Sequence, residues 1–472
     1  MNDALPSLCQ SSIDRLADSG VDVPRYARND LAAGVVHLGL GAFHRAHQAV
    51  VFDDLLRKGD MRWGVLAVAT RSVQLADTLL KQDGLYAVKF AGIEGESWRM
   101  IGSILQLSAA RREPQRVHAA IADAATRWLT LTVTEKGYDA LLADLLLEGL
   151  RQRRIAGLEG LTIASCDNLS HNGDKLKALL IEHCRDAALA QWLQARCRFP
   201  NSMVDRIVPA GTARCVTEAA QVFGVVDRAA LFTEKFWEWA IEDDFVDPSD
   251  GPLLASAGVT VVSDVSLYEN AKLRMLNGSH SALACIGSVM GLSTVFEAVS
   301  DAAIRRFLHG LMSLEVMPNL ARPSLDIYRD SLLERFANPA IQHSLHQIAS
   351  DSSKKISLRW VPSILAQLQS GGSIKLHAFA AAAWMRYCRG QDEAAIAYSV
   401  DDPQAELLTS IALREPADVA TATAAFLQIG SIWGNVLPGF PEWTAAVTSA
   451  ALDIHVHGIA AALQRLLAGR VG

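Results

Sequence analysis

The stretch "GVVHLGLGAFHRAHQAVVFDDLL", residues 34–56, decides the fold of this chain. An apolar β-rich run, "GVVHLGL", passes into Gly39-Leu40-Gly41 and then into a helix-like segment. Glycines at such a strand-to-helix turn let the backbone approach a pyrophosphate, and the free N–H groups at the helix start favour the anion. The third glycine of the usual fingerprint is absent, because His44 stands in its slot. A tight strand-helix turn with no ligand would read the same way, so the context must decide.

The context repeats the pattern. "WGVLAVAT" (63–70), "WLTLTVT" (128–134) and "LTIASCD" (161–167) each have the continuous apolar character of a buried parallel strand, closed by turn or polar residues. Helical stretches such as "HQAVVFDDLLRKGD" and "EPQRVHAAIADAATR" lie between them. This alternation predicts a doubly wound α/β sheet of Rossmann type. "AGVTVVSDVSLYE" (257–269) adds one more strand and ends the pattern. Beyond it, Ala- and Leu-rich segments with helical periodicity take over, with Pro318, Pro323, Pro339, Pro362 and Pro438 as helix boundaries. The expected organisation is a dinucleotide-binding domain over residues 1–265 and a mostly α-helical substrate and catalytic domain over 266–472.

Composition agrees with two folded domains: 472 residues, 50% hydrophobic and 20% charged. A net charge of −7 argues against a nucleic acid or an anionic membrane surface as partner. The seven cysteines are scattered, with no CxxC pair, which suits reduced thiols in a cytoplasm. No apolar leader is read at the N-terminus. Residues 275–296 carry no Asp, Glu, Lys or Arg over 22 positions, long enough to span a bilayer. Asn277, His280 and four serines within them favour a buried helix.

Several short motifs carry chemistry. The second strand ends "AVATRS", so Thr70, Arg71 and Ser72 stand where an NAD site usually places an acid for the ribose hydroxyls. Arg71 there suits the adenosine end of the cofactor and leaves room for NADP. The pairs His44/His47 and His343/His346 have HxxH spacing, but no HExxH arrangement or third ligand accompanies either, so no metal is expected. "SCDNLSHNG" (165–173) follows a strand, where open α/β sheets bind ligands, and presents Asp167, Asn168, His171 and Asn172. "YENAK" (268–272) has the YxxxK spacing of short-chain dehydrogenases, in the wrong context for that fold. In "KLRMLNGSH" (272–280), an α-helix would place Lys272, Asn277 and His280 within an arc of about 140°. A half-buried lysine beside a histidine is a candidate general base, and an amide beside it can stabilise a developing alkoxide.

Taken together, "GLGAFHRAHQ" (39–48), "TVTEKGY" (132–138), "CDNLSHNG" (166–173), "MVDRI" (203–207) and "KLRMLNGSH" (272–280) resemble the mannitol dehydrogenase family, the long-chain polyol dehydrogenases, which also contains the fructuronate reductases. The motifs run through most of the chain. The resemblance implies a metal-independent, NAD(P)-dependent oxidation of a secondary alcohol. It assigns Lys272 as base, Asn168 and Asn277 as the oxyanion pair, and Glu269 to the proton path. His280 and Asp205 would hold substrate hydroxyls. Gly39, Leu40, Gly41, Ala42 and Phe43, with Arg71 and Glu135, would bind the cofactor, NAD or also NADP. Within "HQIASDSSKKISLRW" (346–360), Lys355 matches a substrate-contacting lysine, while Gln347 replaces an arginine expected in the mannitol enzymes. "KKISLRW" resembles the fructuronate reductases, and Arg359 suits a sugar-acid carboxylate through its bidentate fork. The expected substrate is therefore D-mannonate or D-fructuronate, with mannitol or arabinitol oxidation as runner-up and a silent cofactor-binding scaffold as a reading of another class. Nothing in the sequence speaks to oligomeric state.

Overall fold

The computed structural model describes residues 5–18, 21–209, 213–414 and 418–469. Its contacts divide the chain into two compact units, Met1–Ser266 and Leu267–Gly472.

Among its described residues the first unit contains eleven strands. These are β1 (Ala33–Leu38), β2 (Gly64–Ala69), β3 (Tyr86–Gly92), β4 (Gly95–Ile101), β5 (Ile104–Ala109) and β6 (Trp128–Leu131), followed by β7 (Thr162–Ser165), β8 (Ser202–Asp205), β9 (Leu231–Glu234), β10 (Glu238–Glu242) and β11 (Thr260–Val262). Five form one parallel sheet in the order β5-β2-β1-β6-β7. Ranked along the chain this is 3-2-1-4-5, the Rossmann order, with its topological switch point between β1 and β6. Alternation along each strand explains the unbroken apolar runs. Val35, Val65, Ala67 and Trp128 enter one core with Phe52 and Trp63, whereas Val36, Leu66, Val68, Leu129 and Ile163 enter another with Leu146 and Leu150. Both faces of the sheet are covered, so neither can be polar.

The strand expected over 257–269 is a correction. Only Thr260–Val262 is extended, and it joins a separate three-stranded sheet, β11-β10-β8. Asp264 accepts the N–H of Ser266 at 2.8 Å, and a helix begins at Ser266. A second small sheet, β4-β3-β9, was not anticipated.

The second unit is helical. Gly278–Val289 and Lys375–Tyr387 are buried along nearly their whole length and pack on each other. Their many Ala, Gly and Ser side chains permit that close approach. Thr294 closes a capping box with Glu297, and Asp301 caps the helix Ala302–Gly310. The expected proline boundaries lie at helix or turn edges, Pro362 in the first turn of Val361–Ser370 and Pro438 in the turn Leu437–Gly439.

Two stretches depart from α geometry. Lys272–Asn277 and Leu311–Val316 are π-helical and pack on each other. Glu315, fully buried on the second, accepts the backbone N–H groups of Leu376 (2.8 Å) and His377 (2.9 Å) and pairs with His377 Nδ1 at 2.8 Å. Burial pushes its carboxyl up, but these bonds outweigh burial and hold it below its ordinary value. A depressed folded-state pKa stabilises above the unfolded value and is lost as pH falls through it. Glu315→Ala is expected to cost about 3 kcal/mol, read as a lowered midpoint in neutral-pH urea unfolding. The difference from the native chain should shrink below about pH 4.

Candidate active site

The first unit places its candidate residues at the switch point. Gly39 directly follows β1 with φ +110°, and a Cβ there would collide with the Thr132 carbonyl just past β6, so only glycine fits. Its own carbonyl accepts Thr132 Oγ1 at 2.8 Å, and its N–H donates to Val68 O at 3.0 Å. Gly41 precedes the short helix Ala42–Ala46. A Cβ on Gly41 would stand in open space, with nothing nearer than 3.9 Å, so the glycine leaves a cradle a side chain would fill. That open space over the backbone and the parallel-sheet crevice fit a dinucleotide.

The missing third glycine has a structural substitute. His44 is fully buried and stacks on His37 of β1, with ring centroids 3.3 Å apart and planes 11° from parallel. Burial lowers both imidazoles, His37 to about 3 and His44 well below its ordinary value, so two neutral rings stack where a glycine would let helix and strand touch directly. The rest of the motif is anchorage. Arg45 Nη1 donates to Ala229 O at 2.5 Å, His47 Nε2 pairs with Glu238 O at 3.0 Å, and Arg206 Nη1 donates to Ala46 O at 2.6 Å. Among the described residues no cluster of three His, Cys, Asp or Glu is placed to hold a metal ion.

Arg71, exposed just beyond β2, reaches to the segment after β6 and donates to Thr134 Oγ1 at 3.1 Å. Glu135 opens the exposed turn Glu135–Gly137 that follows. In the "CDNLSHNG" motif the residues separate by role. Asn172 is buried, accepts Ser202 N at 2.9 Å and donates to Ser202 O at 2.8 Å, stapling β8 to the end of β7. A Cβ on Gly173 would strike the Phe199 and Pro200 carbonyls. Asn168 stands three residues past β7, at the carboxyl edge of the parallel sheet. Asp205 closes β8 and is buried, opposite Glu238 of β10. Asp167, which sequence reasoning grouped with these but gave no role, bonds the segment after β6; its position directly before Asn168 was the available signal.

The second unit carries the lysine. Helix runs from Ser266 through Glu269 and passes at Lys272 into the π-helical turn, so the α-helical arc expected from sequence needs correction. Gly278 N–H donates to Leu273 O, five residues back. With i→i+5 bonding one turn separates Lys272 from Asn277, and α geometry resumes to place His280 three residues on. The widened turn brings the three residues closer to one line than an α-helix would. All three are half-buried. His280 stacks on Phe336 at 4.3 Å between centroids and meets the edge of His343 at 6.1 Å.

The helix Ser352–Arg359 packs on this turn. Trp360 Nε1 donates to Gly278 O at 2.9 Å, and Arg359 Nη1 donates to Asn277 O at 3.2 Å and Ser281 Oγ at 2.8 Å. Burial pushes the Arg359 guanidinium down to about 10. One turn earlier, Lys355 Nζ donates to the carbonyls of Ile348 (3.2 Å) and Ser350. Burial lowers Lys355, and the Arg359 charge adds to it. His343 is lowered by burial and by Lys355, and its Nδ1 is buried without a partner. Sequence reasoning considered His343 only as a metal ligand. Gln347 is exposed on the preceding helix Leu345–Ala349.

A Rossmann-ordered sheet with a glycine cradle, followed by a mostly helical unit with lysine, amide and imidazole on one stretch of helix, is the make-up of a nicotinamide-dependent oxidoreductase. Comparison with known proteins gives the family. The mannitol dehydrogenase Rossmann domain matches residues 33–250 and the mannitol dehydrogenase C-terminal domain matches 264–455. The chain belongs to the mannitol dehydrogenase family. It is 37% identical to the D-mannonate oxidoreductase of Escherichia coli (strain K12), over 92% of this chain and 96% of that one. It is 35% identical to a mannitol 2-dehydrogenase of Phaeosphaeria nodorum, over 94% and 83%. Among solved structures it resembles the Pseudomonas fluorescens mannitol 2-dehydrogenase in ternary complex with NAD and D-mannitol, with a TM-score of 0.79 and 32% identity over 98% and 99% of the two chains. A substrate-free D-sorbitol dehydrogenase superposes with a TM-score of 0.88 at 28% identity over 97% and 100%. No helix of the described residues is long and apolar enough to cross a membrane.

Proposed function

We propose that this chain is an NAD-dependent oxidoreductase interconverting the secondary alcohol of a sugar acid and its ketone, with D-mannonate and D-fructuronate as the pair. The supporting observation is the pair of cations, Arg359 and Lys355, beside the π-helical turn. Arg359, Lys355 and the His343 ring gather half-buried next to Asn277 and His280. Like charges one helical turn apart are unfavourable, more so when desolvated. A carboxylate docked there would relieve both costs. Arg359 holds its Nη1 on Asn277 and Ser281, and its Nε and Nη2 have no hydrogen-bond partner among the described residues. Those two atoms form one edge of the guanidinium, the geometry that grips a carboxylate in a fork.

Bound NAD supplies the acceptor for the hydride. The remaining work belongs to side chains. Lys272 Nζ, as the free amine, takes the hydroxyl proton of the alcohol, and in the reverse direction returns it to the ketone oxygen. The amides of Asn168 and Asn277 donate to the oxygen as negative charge develops on it. Glu269, three residues before Lys272 on the same helix, passes the proton on. His280 and Asp205 hold substrate hydroxyls. Gly39, Leu40, Gly41, Ala42 and Phe43 form the cofactor turn, with Arg71 and Glu135 at its sides.

Oxidation of a neutral polyol is the second reading, favoured by the identity with mannitol 2-dehydrogenases. Gln347, where those enzymes are expected to hold an arginine, weighs against it. The test is initial rates at neutral pH with D-fructuronate, D-fructose and D-xylulose, each with NADH and NADPH. The expected result is a preference for fructuronate with measurable turnover on both cofactors, since Arg71 replaces the usual ribose-binding acid. Preference for the neutral ketoses moves the chain to the polyol reading. Tight NADH binding without turnover on any substrate identifies a silent scaffold.

A further inference from the structure

Thr134 holds a backbone conformation that L residues avoid. Its φ of +69° and ψ of 162° fall in a region that is essentially glycine's, and Thr is β-branched besides. It lies directly after β6, on the segment that flanks the switch point. The strain is met by one side chain from the neighbouring strand end. Asp167 Oδ1 accepts the Thr134 N–H at 2.7 Å, and Oδ2 accepts the Val133 N–H at 3.2 Å and the Tyr138 hydroxyl at 3.1 Å. Tyr138 is held in turn by Ser165 Oγ at 2.5 Å. Asp167 is 6% exposed and makes no ion pair with a cation among the described residues. Three donors converging on one buried carboxylate thus tie both ends of the segment 133–138 to the end of β7.

The two withdrawn N–H groups turn the segment's carbonyl and hydroxyl outward. Val133 O lies 3.5 Å from Arg71 Nη2, Thr134 Oγ1 accepts the same nitrogen, and Thr134 O accepts Gly137 N–H at 2.9 Å to shape the turn that carries Glu135. The chain then runs from Asp167 straight into Asn168. We propose that Asp167 is a positioning residue that holds the segment Val133–Tyr138 in its strained, cofactor-facing form. Its backbone fixes where the Asn168 amide begins. This rests on the reading that the switch point binds NAD.

The test exploits the strain. Asp167→Asn keeps the size but replaces one acceptor oxygen by a donor, so the segment loses bonds and Thr134 relaxes. KM for NADH is expected to rise at least tenfold. Thr134→Gly can adopt the same backbone angles without help, so it removes the strain that Asp167 holds. In the Asp167→Asn background it should recover most of the lost NADH affinity. A carboxylate that merely stabilises the fold would give no such rescue, since glycine adds flexibility and removes a side chain. The proposal is overturned if Asp167→Asn leaves KM for NADH within twofold of the native value, or if the double variant binds NADH no better than Asp167→Asn alone. Should Asp167→Asn fail to fold, Tyr138→Phe, which removes one of the three donors, is expected to raise KM for NADH about threefold, and no change would overturn the proposal. Failure of the native chain to bind NADH at all would instead overturn the reading of the switch point.

Discussion

Lys272→Ala is expected to lower kcat by about 10²–10⁴-fold, the range that removal of a general base produces, while NADH binding stays within about twofold of native. The position supports so large an effect. Lys272 opens the π-helical turn, and Asn277 closes it. The proposed base and charge-stabilising amide, fixed one turn apart on a single backbone, lose little entropy when they act together. The alanine removes the proton acceptor and leaves the backbone bonds of the turn untouched, so cofactor titration by fluorescence and single-turnover kinetics separate the two roles. A parallel loss of NADH affinity would make Lys272 a structural residue. Exogenous primary amines should restore part of the rate to Lys272→Ala, because the vacated side chain leaves room for a small base.

The sequence made most of the central sheet legible because four of its five strands are buried on two faces. Runs such as "GVVHL" and "WLTL" have no polar residue on either side to confuse the period, apart from His37 and Thr130, which satisfy one another at 2.8 Å. β5, "ILQLSA", escaped because Gln106 interrupts the run. The small sheets escaped for a different reason. β8 and β9 are four residues each, and β9 pairs with β3 across more than 130 residues of chain, a contact that local pattern cannot report. Residue types in the motifs were legible, but backbone was not. No residue in "KLRMLN" signals i→i+5 bonding over i→i+4, so the α-helical arc was the natural expectation and the π turn had to be seen. Strain at Thr134 was likewise invisible, since glycine would have announced that conformation and threonine conceals it. Asp167 follows from the same blindness: its role is to hold a neighbour's backbone, and only the folded chain shows which neighbour.

Arg359 carries the substrate assignment, and its replacement should separate charged from neutral substrates. Arg359→Gln is expected to reduce kcat/KM for D-fructuronate by about 10²–10³-fold, corresponding to two charge-assisted hydrogen bonds at about 1.5–3 kcal/mol each, less partial replacement by the amide. The side chain has a second duty, since its Nη1 donates to Asn277 O and Ser281 Oγ beside the proposed catalytic amide. Losing that contact should impair every substrate alike, so the informative quantity is the ratio of kcat/KM for fructuronate to that for fructose. A fall in this ratio of about a hundredfold identifies carboxylate recognition, whereas an equal loss on both substrates reduces Arg359 to a support for Asn277. Arg359→Lys retains charge but not the planar fork, and should recover less than a tenth of the ratio. Lys355→Met removes the neighbouring cation, whose charge lowers the His343 imidazole, and should weaken fructuronate binding without reversing the preference. If Lys355→Met rather than Arg359→Gln collapses the ratio, the carboxylate sits one helical turn earlier, against Lys355 and His343.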